Sequence, residues 1–178
     1  MATLAEVARQ RTTLSPAQVD HLQRLVGEWG FLADLSFADL LLYVPTPGDD
    51  WVVLAQVRPS TARTIYVADY VGDPADSARP VLDNVVTSGG LCEGDITVEG
   101  LAEPARMLGI PVRLDGTIIA VLARETSSRN TRMAGELERT YVAIFERFAV
   151  MVAEGSFPSQ GQLEDSSAAP RIGDGTIL

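Results

Sequence analysis

The sequence predicts an α+β fold: an antiparallel sheet of five to six strands with its helices segregated to one face. Three observations predict it. Apolar runs of strand length come in two groups, one between Asp39 and Gly72 and one between Ile96 and Arg124. The turns inside each group are too short for helical crossovers, which favours antiparallel pairing. Segments with helical spacing of apolar residues stand before and after the strands.

Residues 1–13 read as an N-terminal arm, 14–157 as the folded domain and 158–178 as a linker. The domain opens with "LSPAQVDHLQRLVGEWGFL". Ser15 is placed to cap a helix, Pro16 takes its first position, and Gln18 completes a capping box. Val19, Leu22, Leu25, Val26 and Trp29 then form one apolar stripe. "DLLLYVP", Asp39 to Pro45, is a buried strand stopped by Pro-Thr-Pro-Gly. "DWVVLAQVRP" is a second strand. Alternation places Val52, Leu54, Gln56 and Arg58 on one face and Trp51, Val53, Ala55 and Val57 on the other. "RTIYVADYVG", 63–72, reads as a third strand. A short helix over Arg79 to Thr87 is closed by Gly89-Gly90. The following loop holds a short strand near Ile96 to Val98. Strands over Arg106 to Leu114 and Thr117 to Arg124 flank Asp115-Gly116, the pair preferred in a type I′ turn. "TSSRNTR" is a loop. Met133 to Gly155 is an amphipathic helix with Leu137, Tyr141, Ile144, Phe145, Phe148 and Val152 on one face. The tail is rich in Ser, Gly and Pro and ends on "GDGTIL", a turn entering a new strand, as at a domain boundary.

Composition narrows the function classes. With 178 residues and 46% hydrophobic content the chain can build one domain with a core of its own. A net charge of -10 repels phosphate backbones and anionic lipid, so neither nucleic acid nor a membrane surface is an expected partner. No apolar run reaches the roughly 20 residues a membrane helix needs, and the N-terminus has no signal-type apolar core. The expected location is cytoplasmic. The single cysteine, Cys92, rules out an internal disulfide.

Catalytic and metal-binding patterns are not found, so neither kind of residue is assigned. The only histidine, His21, lies inside the first helix without the neighbours of a triad or a phosphoacceptor site, and reads as a partly exposed helix residue. One Cys and one His far apart do not make a zinc site, and Cys92 reads as an ordinary reduced thiol. "SGGLCEGD" lacks the Lys and the following helix of a phosphate cradle. Asp49-Asp50, Glu164-Asp165 and the arginines of "ARETSSRNTR" read as solvated surface. One feature stands out. The face of the second strand turns polar at Gln56 and Arg58, and Tyr43 and Tyr66 lie on neighbouring expected strands. These four are the candidate ligand-binding residues, lining a pocket on the loop-covered side of the sheet. The alternative places Gln56 and Arg58 in solvent at the sheet rim.

"VGEWGFLADLSFADLLLYV", "VLAQVRPSTARTIYVADYVG", "PVRLDGTIIAVLARET", "VAEGSFP" and "PRIGDGTIL" together carry a resemblance. From about Leu14 to Leu178 the chain resembles the amino-terminal sensor region of actinobacterial cytosolic histidine kinases, in which a GAF domain is followed by a PAS domain and a kinase module. The resemblance implies a GAF fold. The N- and C-terminal helices pack on one face of the sheet, and loops with a short helix surround a pocket on the other. It implies a sensory or regulatory domain of a two-component system, binding a small ligand or forming a homodimer to control the kinase. The alternatives are a degenerate GAF acting only as a dimerisation and relay scaffold and, remotely, a GAF-like cysteine enzyme, for which Cys92 has no partner. No cofactor is expected in this chain. ATP and Mg belong to the downstream kinase, whose expected partner is a response regulator with an RNA-binding output domain. Some GAF domains sense redox state or metals through haem ligands or cysteines; here the AQxRP segment holds Val53 and Val57 and the only histidine is in the first helix, so cysteine-pair or haem sensing is not expected.

Overall fold

In the computed structural model, which describes residues 3–128 and 135–158, the N-terminal arm is a helix. α1 (Leu4–Arg11) has its own capping box between Thr3 and Glu6, and it buries Val7 and Ala8 in the core. α2 (Pro16–Ser36) starts as expected. The Gln18 amide donates to Ser15 Oγ at 3.3 Å and the Ser15 amide donates to Gln18 Oε1 at 2.7 Å. Then follow β1 (Asp39–Pro45), β2 (Trp51–Val57), α3 (Arg79–Ser88), β3 (Cys92–Ile96), β4 (Ala105–Leu114), β5 (Thr117–Ser127) and α4 (Glu136–Glu154). The linker expected over 158–178, with its terminal strand, lies outside the described residues apart from Pro158.

The five strands form one antiparallel sheet in the order β2-β1-β5-β4-β3. β4 and β5 are joined by the expected turn: Asp115 and Gly116 have φ of 51° and 79°, the two positive values a type I′ turn requires. One face carries α1, α2 and α4, with Leu22, Leu25 and Phe145 against Leu42, Ile110 and Leu122. The opposite face carries α3 and the irregular chain before it, with Leu82 and Val85 against Leu41, Met107 and Val121. α3 lies close because Gly94 and Gly109 leave room. A Cβ at either position would meet Val81 or Val85 at 2.5 and 2.7 Å.

Four expectations are corrected. The third strand over 63–72 does not form, because side chains rather than a ladder satisfy its backbone. Asp39 accepts from the Ile65 amide at 2.8 Å and from Thr64 Oγ1 at 2.6 Å. Gln56 Oε1 accepts from the Tyr70 amide at 2.9 Å, and Arg58 Nη2 donates to the Ala68 carbonyl at 2.6 Å. Only its end, at Gly72–Ala75, hydrogen-bonds to the β2 edge.

The second correction concerns β2. Its register with β1 steps from Leu42↔Ala55 to Tyr43↔Val53, leaving Leu54 as an extra residue. One extra residue inverts the alternation. Val52 and Leu54 face the helices, yet so do Ala55 and Val57, and Gln56 falls opposite Leu41 on the other face. The short strand expected near Ile96 to Val98 is shifted back to Cys92–Ile96, where it pairs with Gly109 to Ala105.

The fourth correction is His21, which is fully buried. α2 is covered by α1, α4 and the sheet, so it buries more than one stripe. Neither ring nitrogen has a hydrogen-bond partner among the described residues. Burial lowers the imidazole pKa, with Arg24 adding to the effect and Asp115 opposing it.

The apolar face expected on α4 splits in two. Phe145 and Val152 join Ala149 in the core, while Tyr141 and Phe148 are half-buried. Leu137 and Ile144 are exposed, as is Met151.

Candidate functional site

β1 and β5 pair so that Asp39 stands opposite Glu125. Both face away from the three-helix layer, and both are buried. Tyr43, further along β1, donates its hydroxyl to Glu125 Oε1 at 2.8 Å, and Tyr66 donates to Glu125 Oε2. Glu125 is thus a 0% exposed carboxylate held by two phenols, and among the described residues no Arg or Lys hydrogen-bonds to it. Burial raises its pKa to about 7; the two tyrosine hydrogen bonds pull it down and Asp39 pushes it up. Burial and the adjacent Glu125 charge hold both phenols well above their ordinary value. Asp39 is also raised by burial, offset by its bonds from Thr64 and Ile65.

The tyrosines of this network wall a cavity of about 210 Å³. Leu41, Tyr43 and Val53 form its floor on the sheet, Tyr66 and Tyr70 one wall, and Ala75 and Ala78 another. The Tyr66 and Tyr70 rings meet edge to face, 5.3 Å between centroids. Asp76 and Glu99 stand at the exposed mouth, with Tyr70 Oη 3.5 Å from Glu99 Oε2. Behind Glu125 runs a wider groove of about 860 Å³, bounded by Phe37, Ile65 and Leu101. Glu125 therefore separates the two spaces. A third hollow, about 510 Å³, lies beside α3, where Arg79 pairs with Asp50 at 2.8 Å and Trp51 Nε1 donates to Asp83 at 2.9 Å.

Of the residues selected from sequence, the fold brings Tyr43 and Tyr66 together on one carboxylate. Gln56 and Arg58 line neither the cavity nor the groove. They instead fasten the 63–72 segment that carries Tyr66 over the sheet, through Tyr70 and Ala68. Glu125 was not selected. Its signal was present: Val121, Ala123 and Glu125 share one face of β5, and a carboxylate closes an otherwise apolar series. Reading it required the β1–β5 register, which places it beside Asp39 and within reach of Tyr43.

Among the described residues no three His, Cys, Asp or Glu side chains are grouped to hold a metal ion. Cys92 is half-buried, with Ser88 Oγ 3.3 Å from its sulfur. Among the described residues, no helix is long and apolar enough to cross a membrane.

Glu125's sequence neighbour points the other way. Arg124 donates from Nε and Nη2 to the Ser36 carbonyl, at 3.3 and 3.1 Å, at the end of α2. Its guanidinium also lies over the Phe145 ring of α4, 5.9 Å from the centroid. Adjacent residues of one strand thus touch the cavity network on one face and both long helices on the other.

Comparison with known proteins gives consistent results. The family model of the GAF domain of the histidine kinase PdtaS matches residues 4–144. The chain is 38% identical to the sensor histidine kinase PdtaS of Mycolicibacterium smegmatis, over 99% of this chain and 36% of that protein. It is 36% identical to the same protein of Mycobacterium tuberculosis, again over 99% and 36%. A solved sensor region of a sensor histidine kinase superposes with a TM-score of 0.73 at 33% identity, covering 98% of this chain and 59% of that one. The chain spans 36% of the length of the curated relatives it matches. With a fold, a family model and relatives in agreement, and in line with the resemblance read from the sequence, the chain belongs to the family of GAF domains of PdtaS histidine kinases.

Proposed function

We propose that this domain is the sensory module of a two-component histidine kinase, and that a small ligand in the cavity beneath Tyr66 biases the arrangement of α2 and α4. The observation that carries the reading is the open cavity of about 210 Å³ built against the Tyr43–Glu125–Tyr66 network. A degenerate scaffold would fill that space with its own side chains. Arg124 supplies the route outward, since any shift of Glu125 along β5 acts on the Ser36 carbonyl and on Phe145.

The helices that receive the shift are also the natural dimer surface. Leu137, Tyr141, Ile144, Phe148 and Met151 follow a 4-3-4-3 spacing along α4, the repeat of a two-helix seam. Leu137 is 64% exposed, and Phe31 of α2, 58% exposed, lies edge-on to Phe148 beside the seam. A homodimer through this seam carries the signal to a PAS domain and a kinase that follow in the same protein. That kinase uses ATP and Mg, works in the cytoplasm, and passes phosphate to a response regulator with an RNA-binding output domain. The names of the relatives, sensor histidine kinases, support the kinase assignment.

The test is a thermal-shift screen of metabolites against wild type and Ala75→Leu, a variant that fills the cavity. A compound that stabilises only the wild type, and changes autophosphorylation of the full-length protein several-fold, is the expected result. Unchanged melting across a broad panel, with the dimer intact, overturns ligand sensing and leaves the scaffold.

A further inference from the structure

We propose that the ligand of this cavity is a small organic cation, a compact amine or quaternary ammonium compound, rather than a nucleotide or other anion. The inference rests on the reading of the cavity as a ligand site and adds the chemistry it selects.

Size comes first. About 210 Å³ lies below the roughly 300–1,000 Å³ of pockets that hold drug-sized ligands. It equals about seven water volumes at roughly 30 Å³ each. That suits a ligand of about seven heavy atoms better than a whole nucleotide.

Charge comes second. Among the described residues the lining contains two carboxylates, Asp76 and Glu99, and no Lys, Arg or His. A third carboxylate, Glu125, lies directly behind the Tyr43 and Tyr66 hydroxyls. Tyr43, Tyr66 and Tyr70 all line the cavity, and aromatic ring faces attract a desolvated cation.

The start of α3, where helix amides would hold an anion, is already occupied. Ala78 lines the cavity at the start of α3, where helix amides commonly bind phosphate. Here the Ala78 and Arg79 amides both donate to the Ala75 carbonyl at 3.1 Å. Pro80 has no N–H. The Val81 and Leu82 amides donate to the Ala78 carbonyl at 3.0 and 3.1 Å. None of these donors is left for a phosphate.

Isothermal titration of the 178-residue chain tests the idea with choline and with 3,3-dimethyl-1-butanol, its neutral isostere. Ethanolamine, tetramethylammonium, inorganic phosphate and AMP complete the set. The expected result is saturable binding of at least one of the cations at one site. For choline the isostere would bind at least about tenfold more weakly. Tyr70→Ala and the pair Asp76→Asn with Glu99→Gln each weaken the cation about tenfold, and added salt weakens it further. Both changes are at half-buried or exposed positions, and circular dichroism verifies their folding. Equal affinity for choline and its isostere overturns the inference, as does Tyr70-dependent binding of phosphate or AMP; either result leaves ligand sensing in place. No binding by any cation overturns the inference too, and if the metabolite screen is also blank the sensing reading falls with it.

Discussion

Arg124 donates two hydrogen bonds to the Ser36 carbonyl oxygen, tying the fifth strand of the sheet to the last turn of α2. The guanidinium is largely buried, and burial holds its pKa below the ordinary arginine value without discharging it. Ser36 is one residue before Phe37, whose left-handed φ of 51° ends the helix. The bond therefore satisfies a helix-end carbonyl that has no intrahelical partner.

Replacing this residue tests its weight. Arg124→Met keeps the apolar stem and loses both bonds and the contact with Phe145. Urea denaturation is expected to show a loss of about 1–3 kcal/mol. Arg124→Lys, which lacks the planar fork, recovers less than half of it.

Glu125 makes stability depend on pH with a defined sign. Its folded pKa, about 7, lies above the ordinary carboxylate value of 4.5. The folded state thus holds the proton more tightly than the unfolded chain. The contribution is complete below about pH 4.5 and is lost as pH rises through 7. Glu125→Gln, which keeps the shape of the protonated group, is expected to gain up to about 3 kcal/mol over wild type above pH 8. Below pH 4.5 the difference disappears. Denaturation midpoints across pH 4.5–8.5 measure it, and a gap that widens toward acid refutes the assignment.

Tyr43 and Tyr66 each favour the ionised form of Glu125 by donating to it. Removing either hydroxyl, by Tyr43→Phe or Tyr66→Phe, is expected to move the Glu125 titration upward from about 7. Carbon-13 shifts of the labelled carboxyl group follow it directly. A downward move would mean that the phenols do not donate in solution.

His21 acts in the opposite direction. Its folded pKa is depressed, so the unfolded chain binds the proton more readily, and stability is lost as pH falls below the ordinary histidine value of 6.5. His21→Leu removes a buried ring with two unpartnered nitrogens. It is expected to stabilise the domain by about 1 kcal/mol at pH 7 and by more at pH 5. Thermal melts at the two values compare it with wild type.

The α4 seam predicts an assembly. Ile144→Glu combined with Leu137→Glu places two charges on exposed seam positions while sparing the Phe145, Ala149 and Val152 core face. Light scattering is expected to show a dimer for wild type and a monomer with unchanged helicity for the variant. A monomeric wild type at high concentration overturns the seam.

Local signals were legible where local physics decides. The Ser15 and Gln18 caps, the Asp115-Gly116 turn and the apolar runs of β1, β4 and β5 each state their structure within a few residues. A turn or a cap is set by the backbone and the side chain beside it. These were enough for the α+β class and the antiparallel pairing. α1, read from sequence as an arm, carries the same kind of local signal, since Thr3 and Glu6 form the same capping box as Ser15 and Gln18.

Tertiary structure decided the rest. The extra residue at Leu54 moved Gln56 to the other face, and a bulge leaves no mark in the sequence because it exists only relative to a partner strand. The 63–72 segment has strand composition, but side chains of β1 and β2 satisfied its backbone before a ladder could. His21 was buried by the elements packed around α2, and the pKa of Glu125 rose chiefly because the fold buried it, with Asp39 across the β1–β5 register adding to the rise. The sequence by itself determined most of the elements, from α2 through the β4–β5 hairpin to α4. Register and layer contacts, which join residues as far apart in sequence as Phe31 and Phe148, decided which side chains meet and what their protons do.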